Sequence, residues 1–244
     1  MASKPRTAGL FFSVLAATLG LSAIILAFAA DDPQLSRSVS NFASMNEAAV
    51  SAILRFGRQT GLPLGIVLSK ELCSASIEEL RIDHLSGTVA LDRLAAALPS
   101  YKWSLENGTV VFSPQVVSPA TTQFLSLKVS PYRIPEDTLQ AQAAYEWLNI
   151  RASLRPDEGT AFSVLSSVGT HKWPSLSLET TTVEGALDRL VARSKGGAWV
   201  LSPIDDIGKA AENRPFHLID YSVSEDPELP CPELLRSNSR SRNR

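Results

Sequence analysis

The sequence has little of what most enzyme chemistry is built on. Its three histidines, His84, His171 and His217, lie far apart with no partner four positions on, so the HExxH and HxH spacings that hold zinc are absent. There is no G-x-S-x-G elbow, no phosphate-binding P-loop and no G-x-G-x-x-G turn. Asp92 and Asp188 each precede an arginine on a helical pattern and read as solvated surface carboxylates. Glu78 and Glu79 are neighbours on a strand pattern, where adjacent side chains point to opposite faces. No catalytic, cofactor-binding or metal-ligating residue is therefore assigned, no cofactor is expected, and the chain is not read as an enzyme. Charge of one sign is also lacking: 23 basic against 25 acidic residues give a formal charge of −2 and a pI near 6.0, which supplies no general pull toward nucleic acid or an anionic membrane.

Charge is missing altogether from Ala8 to Ala30, behind a basic head of Lys4 and Arg6. With small residues at Ala27 and Ala29, residues 1–30 read as a secretory signal cut just before Ala30. The run also reaches the roughly 20 residues that span a bilayer, so an uncleaved inner-membrane anchor is the rival reading. Either way the rest of the chain is expected outside the cytoplasm, periplasmic or exported. No cysteine precedes Cys73, which argues against an N-terminal lipid anchor. Export would permit a disulfide, for which Cys73 and Cys231 are the candidates; Cys231, between two prolines in a polar tail, favours separate thiols.

Residues 31–43 read as a solvated linker and 44–114 as the first folded unit. Ser44 and Glu47 have capping-box spacing, and Ala49, Ala52, Ile53 and Phe56 mark one helical face that Gly61 should end. Leu64 to Leu68 has strand length, and Leu80 and Ile82 alternate with charged residues. Ser86 can cap a second helix carrying Leu91, Leu94, Ala95 and Leu98, stopped by Pro99. Tyr101, Trp103 and Leu105 then alternate into Asn107-Gly108, the pair that a type I′ hairpin turn favours, and Thr109 to Phe112 returns.

The phrases AAVSAILRFGRQTGLPLGIVLS, IEELRIDHLSGTVALDRLAAAL and YKWSLENGTVVFSP resemble the secretin and TonB short N-terminal domain, found at the periplasmic end of outer-membrane secretins and TonB-dependent receptors. The resemblance covers about residues 46–114. It implies a βαβ-type periplasmic module that docks onto other proteins, with a secretin or TonB-system component as the partner class, and no catalytic residues.

Residues 115–122 read as a second linker, and 123–203 as a second unit. Leu125, Leu127 and Val129 alternate as in a strand. From Pro135, the positions Leu139, Ala143, Trp147, Ile150 and Leu154 predict a helix, with Tyr145 and Trp147 read as core rather than as a binding platform. Phe162 to Val168 fits either a strand or a helix. Leu176 and Leu178 alternate with Ser177 and Glu179, and Thr181 with Glu184 repeats the capping-box spacing before Val183, Ala186, Leu187 and Leu190. ALDRLAAAL at Ala90 and ALDRLVAR at Ala186, with VVFSP at Val110 and WVLSP at Trp199, form a partial internal repeat. A single helix on a few strands makes a thin core, so the two units are expected to pack together or share a sheet. Residues 204–244 read as a mostly disordered tail, except for an edge strand near Phe216 to Val223.

The fold class expected is thus α+β: two small helix-on-sheet modules, preceded by an apolar N-terminal helix and followed by a disordered tail. The function expected is an exported, non-catalytic interaction module of the cell envelope that pairs a strand edge with a protein partner. It contacts no nucleic acid, and meets membrane only through residues 8–30 if these stay uncleaved. The alternative is an envelope ligand-binding protein or enzyme with a pocket between the two units.

Overall fold

Helical and strand segments alternate along the chain and give a mixed α+β protein. The computed structural model describes residues 33–129, 131–134, 138–139, 172–173, 175–193, 197–204, 216–220 and 231. Residues 1–30 lie outside these; among the described residues no helix is long and apolar enough to cross a membrane.

Strand β1 (Ser38–Val39) pairs with β5 (Leu85–Ser86), and β2 (Phe42–Ala48) runs antiparallel to β4 (Ser76–Ile82). These pairings overturn the linker expected at 31–43, since Leu35, Val39 and Phe42 are core residues. Their strand partners lie far along the chain, Ser38 facing Ser86 and Phe42 facing Ile82, which local periodicity does not report. The capping box is a second correction. Ser44 Oγ donates to Glu47 Oε2 at 2.8 Å, but both lie in β2, and helix α1 (Ala49–Thr60) starts at Ala49 without a side-chain cap. Its first amide donates instead to Ala75 O at 3.0 Å. Arg55 takes Glu47 through both carboxylate oxygens, which holds that carboxyl below the usual range. Asn46 has φ 49°, and facing it the alternation of β4 breaks, so Glu78 and Glu79 are both exposed rather than on opposite faces.

The rest of the first unit follows its local chemistry. Ala49, Ala52, Ile53 and Phe56 are buried, and Gly61 ends α1 at φ 72°. After β3 (Leu64–Val67) comes a short helix not foreseen, α2 (Lys70–Ser74), whose Ser69 Oγ accepts from Leu72 N–H at 3.1 Å. Ser86 caps α3 (Gly87–Ala96), which buries Leu91 and Leu94. Strands β6 (Tyr101–Glu106) and β7 (Thr109–Pro114) form the expected hairpin, with Asn107 and Gly108 at φ 50° and 81°.

Residues 115–122 are not a plain linker, because Ser118 and Pro119 act as cap and first residue of helix α4 (Pro119–Ser126). Leu125 therefore lies in a helix, and only β8 (Lys128–Val129) remains of the strand expected there. Strand β9 (Tyr132–Ile134) pairs with β12 (Leu176–Leu178), and β10 (Thr138–Leu139) with β11 (Lys172–Trp173). Leu139 is thus a strand residue rather than part of a helix; the rest of the helix expected to Leu154, with Tyr145 and Trp147, and the segment Phe162 to Val168 lie outside the described residues. Strand β13 (Thr181–Thr182) pairs with β8 and leads into helix α5 (Val183–Arg193). The cap moves by one position: Thr182 Oγ1, not Thr181, accepts from Gly185 N–H at 3.1 Å. Strands β14 (Gly197–Leu201) and β15 (Phe216–Asp220) close the chain as an antiparallel pair.

Both units contribute to one five-stranded sheet of order β15-β14-β3-β7-β6, in which β14, β3 and β7 are parallel and the two outer strands antiparallel. Such central strands are covered on both faces and read as continuous apolar runs. One face carries Leu64, Ile66, Phe112 and Val200 against Ile53 and Phe56 of α1 and Leu91 and Leu94 of α3. The other carries Val67, Val111, Trp199 and Leu201 against Phe124 of α4 and Leu187 and Leu190 of α5. Register corrects the repeat by one residue: Trp199 stands level with Val111, both flanking Gly65, whereas Ala198 and Val110 flank Leu64. Within 204–244, Ile204 is buried and Cys231 is bonded to Cys73, so separate thiols are also overturned.

Candidate functional site

The densest polar arrangement lies where α5 crosses the sheet. Its apolar face turns Asp188 inward with Leu187, and the residue is 0% exposed, against the expectation of a solvated carboxylate. Trp199 Nε1 donates to Oδ1 at 2.9 Å and Asn107 Nδ2 to Oδ2 at 3.1 Å. Thr109 Oγ1 donates to the backbone oxygen of Asp188 at 3.1 Å. Three donors from three places, β14, the hairpin turn and β7, meet one residue of α5. The indole reaches its place because Gly65 has no side chain; a Cβ there would fall 2.3 Å from the Trp199 ring. Burial pushes the Asp188 carboxyl from the ordinary 3.8 to about 7, against the pull of the Trp199 and Asn107 donors; Glu184 and Glu106 add to the rise by like charge. Glu184, one turn earlier on α5, is raised in turn by burial and by Glu106.

Asp92 is the counterpart in the first ALDRL segment. It is exposed, yet its Oδ1 accepts from Trp103 Nε1 at 2.9 Å, also eleven residues on. The recurrent tryptophan at that spacing was the signal in the sequence that marked both aspartates as indole acceptors.

The other sequence candidates are not brought together into a reactive site. His84 lies in an exposed turn at φ 53°, with Ser40 Oγ 3.4 Å from Nδ1 and Asp83 Oδ1 3.7 Å from Nε2. Those separations exceed a good hydrogen bond, and the His84 and Asp83 side chains are 81% and 58% exposed, so this is a contact between solvated neighbours. His171 lies outside the described residues, and His217 falls on β15. Among the described residues no group of three or more His, Cys, Asp or Glu is placed to hold a metal ion. A cavity of about 300 Å³ of mixed lining lies elsewhere, by β1 and the start of α3, with Gln34, Arg37, Gln59 and Leu62 among its walls. Among the described residues no carboxylate or histidine lines it.

An exposed strand edge is the remaining surface of note. Strand β6 ends the five-stranded sheet, with β7 as its one paired neighbour among the described residues. In a two-residue hairpin the pair flanking the turn, here Glu106 and Thr109, is the hydrogen-bonded one, so Tyr101, Trp103 and Leu105 present their backbone groups on the open side. Tyr101 N–H is met by Leu98 O at 2.8 Å. The edge carries Lys102 and Glu106, exposed charges that discourage indiscriminate pairing.

Comparison with family models, curated proteins and solved structures returned no match.

Proposed function

We propose that this chain is an exported, non-catalytic protein-interaction module of the cell envelope, working by strand addition at the β6 edge. The observation that carries the reading is that edge: backbone groups at Trp103 and Leu105 turned outward, on a strand locked in place by its hairpin and by Tyr101 Oη donating to Val67 O at 2.8 Å. An added strand gains affinity from backbone bonds and specificity from side-chain positions such as Lys102 and Glu106. The Cys73–Cys231 bond supports an oxidising location, where such bonds persist. The resemblance of residues 46–114 to the secretin and TonB short N-terminal domain supports a secretin or TonB-system component as partner. The seam between the two units is filled by Trp199, Val111 and Leu187, which favours contact at an edge over a pocket at the junction.

A photo-crosslinker at Lys102 in cells that express the chain tests this. The expected result is a defined adduct with an envelope protein, lost in Leu105→Pro, which deletes an outward N–H while sparing the hairpin bonds. Circular dichroism and the intact disulfide serve as fold controls. Recovery of the chain inside the cytoplasm, or an adduct indifferent to the proline, overturns the reading.

A further inference from the structure

Asp188 joins α5 to three other parts of the fold by hydrogen bonds: the Asn107 turn, Thr109 of β7 and Trp199 of β14. Both donors to its carboxyl are neutral. Among the described residues the charged groups facing it are acidic, Glu184 one turn back on α5 and Glu106 at the end of β6. Of the other surrounding elements, α4, β3, β7, β12, β13 and β14 carry no titratable side chain, and β8 contributes Lys128, which is exposed. On α5 itself Arg189 follows in sequence and is displaced round the helix. A buried ionised carboxylate without a facing cation is poorly compensated, and a like charge four residues away on the same helix adds to the cost.

We propose that Asp188, with Trp199 and Asn107, forms a proton-operated clasp that holds α5 onto the β6–β7 hairpin in acid and loosens it toward alkaline pH. Proton uptake removes the buried charge and its repulsion from Glu184 and Glu106, while the carboxyl oxygens keep lone pairs for both donors. The sign follows from linkage. The folded-state value, about 7, lies above the ordinary 3.8, so the folded chain binds the proton first. The stabilisation is complete below about pH 4 and is lost as pH rises through about 7. Glu47, held below its ordinary value by Arg55, works the other way and titrates at more acid pH, whereas Glu184, raised by burial and by Glu106, acts in the same sense as Asp188.

The test is hydrogen–deuterium exchange and urea unfolding of the chain with its disulfide intact, at pH 5.5 and 8, corrected for intrinsic exchange. Protection of 183–193 relative to α1 is expected to fall about thirtyfold between the two pH values, the change that linkage gives for one carboxyl whose value is about 7 when folded and 3.8 when open. Asp188→Asn should abolish most of that change. Should that variant fail to fold, Glu184→Gln and Glu106→Gln, which leave the hydrogen bonds in place, should each move the transition to lower pH. Equal pH dependence in α1 and α5, a pH response unchanged in Asp188→Asn, or a transition unmoved by both glutamine variants overturns the clasp.

Discussion

The two ALDRL segments are a comparison that the molecule makes with itself. Each begins a five-residue match, each sends an aspartate oxygen to an indole N–H eleven residues later at 2.9 Å, and one of the two pairs is exposed while the other is sealed. Trp103 lies on an edge strand, half-buried; Trp199 lies on an inner strand, 0% exposed, across Gly65. Position in the sheet, rather than the segment itself, decides whether the same bond is solvated or structural. Asn107 then completes the second site from a turn that belongs to the first unit.

The sharpest way to separate the corners is truncation of each indole. Trp199→Ala should cost about 3 to 5 kcal/mol, as large buried aromatic truncations do, and also orphans the Asp188 oxygen. Trp103→Ala, half-buried, should cost roughly half as much. Urea midpoints measure both, and equal losses would break the comparison. Next in size is Gly65→Ala. Its methyl would enter the Trp199 ring, and overpacking of this kind costs about 1 to 3 kcal/mol. Combining it with Trp199→Leu, which opens room over β3, should give less than the sum of the two losses; strict additivity would mean that the indole does not press on Gly65.

Asn107→Gly follows. Glycine keeps the turn that φ 50° demands, but removes the donor to Asp188 Oδ2. A hydrogen bond to a charged group is worth about 1.5 to 3 kcal/mol, so the loss should be near that range at pH 8 and smaller at pH 5.5, where Asp188 is protonated. A loss that does not depend on pH would assign the whole effect to the turn.

How much of this was legible beforehand depends on how local each cause is. The α1 and α3 faces, Gly61, the Asn107-Gly108 turn and the β15 edge strand follow from neighbours within one turn or one hairpin, and they appear as expected. Leu35, Val39 and Phe42 do not, because the segments that pair with this stretch lie beyond Leu80 in sequence, and Phe42 needs Phe56 of α1 as well. Ser44 with Glu47 failed for a similar reason: Arg55 and the β4 pairing claim those residues before a helix can. Asp188 is the instructive miss. Asp92 and Asp188 share every immediate neighbour in ALDRL, so no window of that width distinguishes them. The distinction needed Gly65 and Asn107, which come from strands β3 and β6–β7 and meet α5 only after the sheet has formed. The disulfide belongs with these, since 158 residues separate its cysteines.

The smallest expected effect tests the exposed corner itself. Asp92→Asn keeps an acceptor oxygen for Trp103 Nε1 and removes a charge that water already solvates. A surface substitution of this sort stays within about 0.5 kcal/mol. The paired experiment, Asp188→Asn measured in the same urea series, should instead change sign with pH: close to neutral or mildly destabilising at pH 5.5, where the wild-type carboxyl is already uncharged, and stabilising at pH 8, where the variant spares the fold a buried anion beside Glu184 and Glu106. If Asp92→Asn tracked pH as Asp188→Asn does, burial would not be what separates the two sites, and their difference would have to come from residues outside the shared ALDRL, such as Glu184 where the first segment has Thr88.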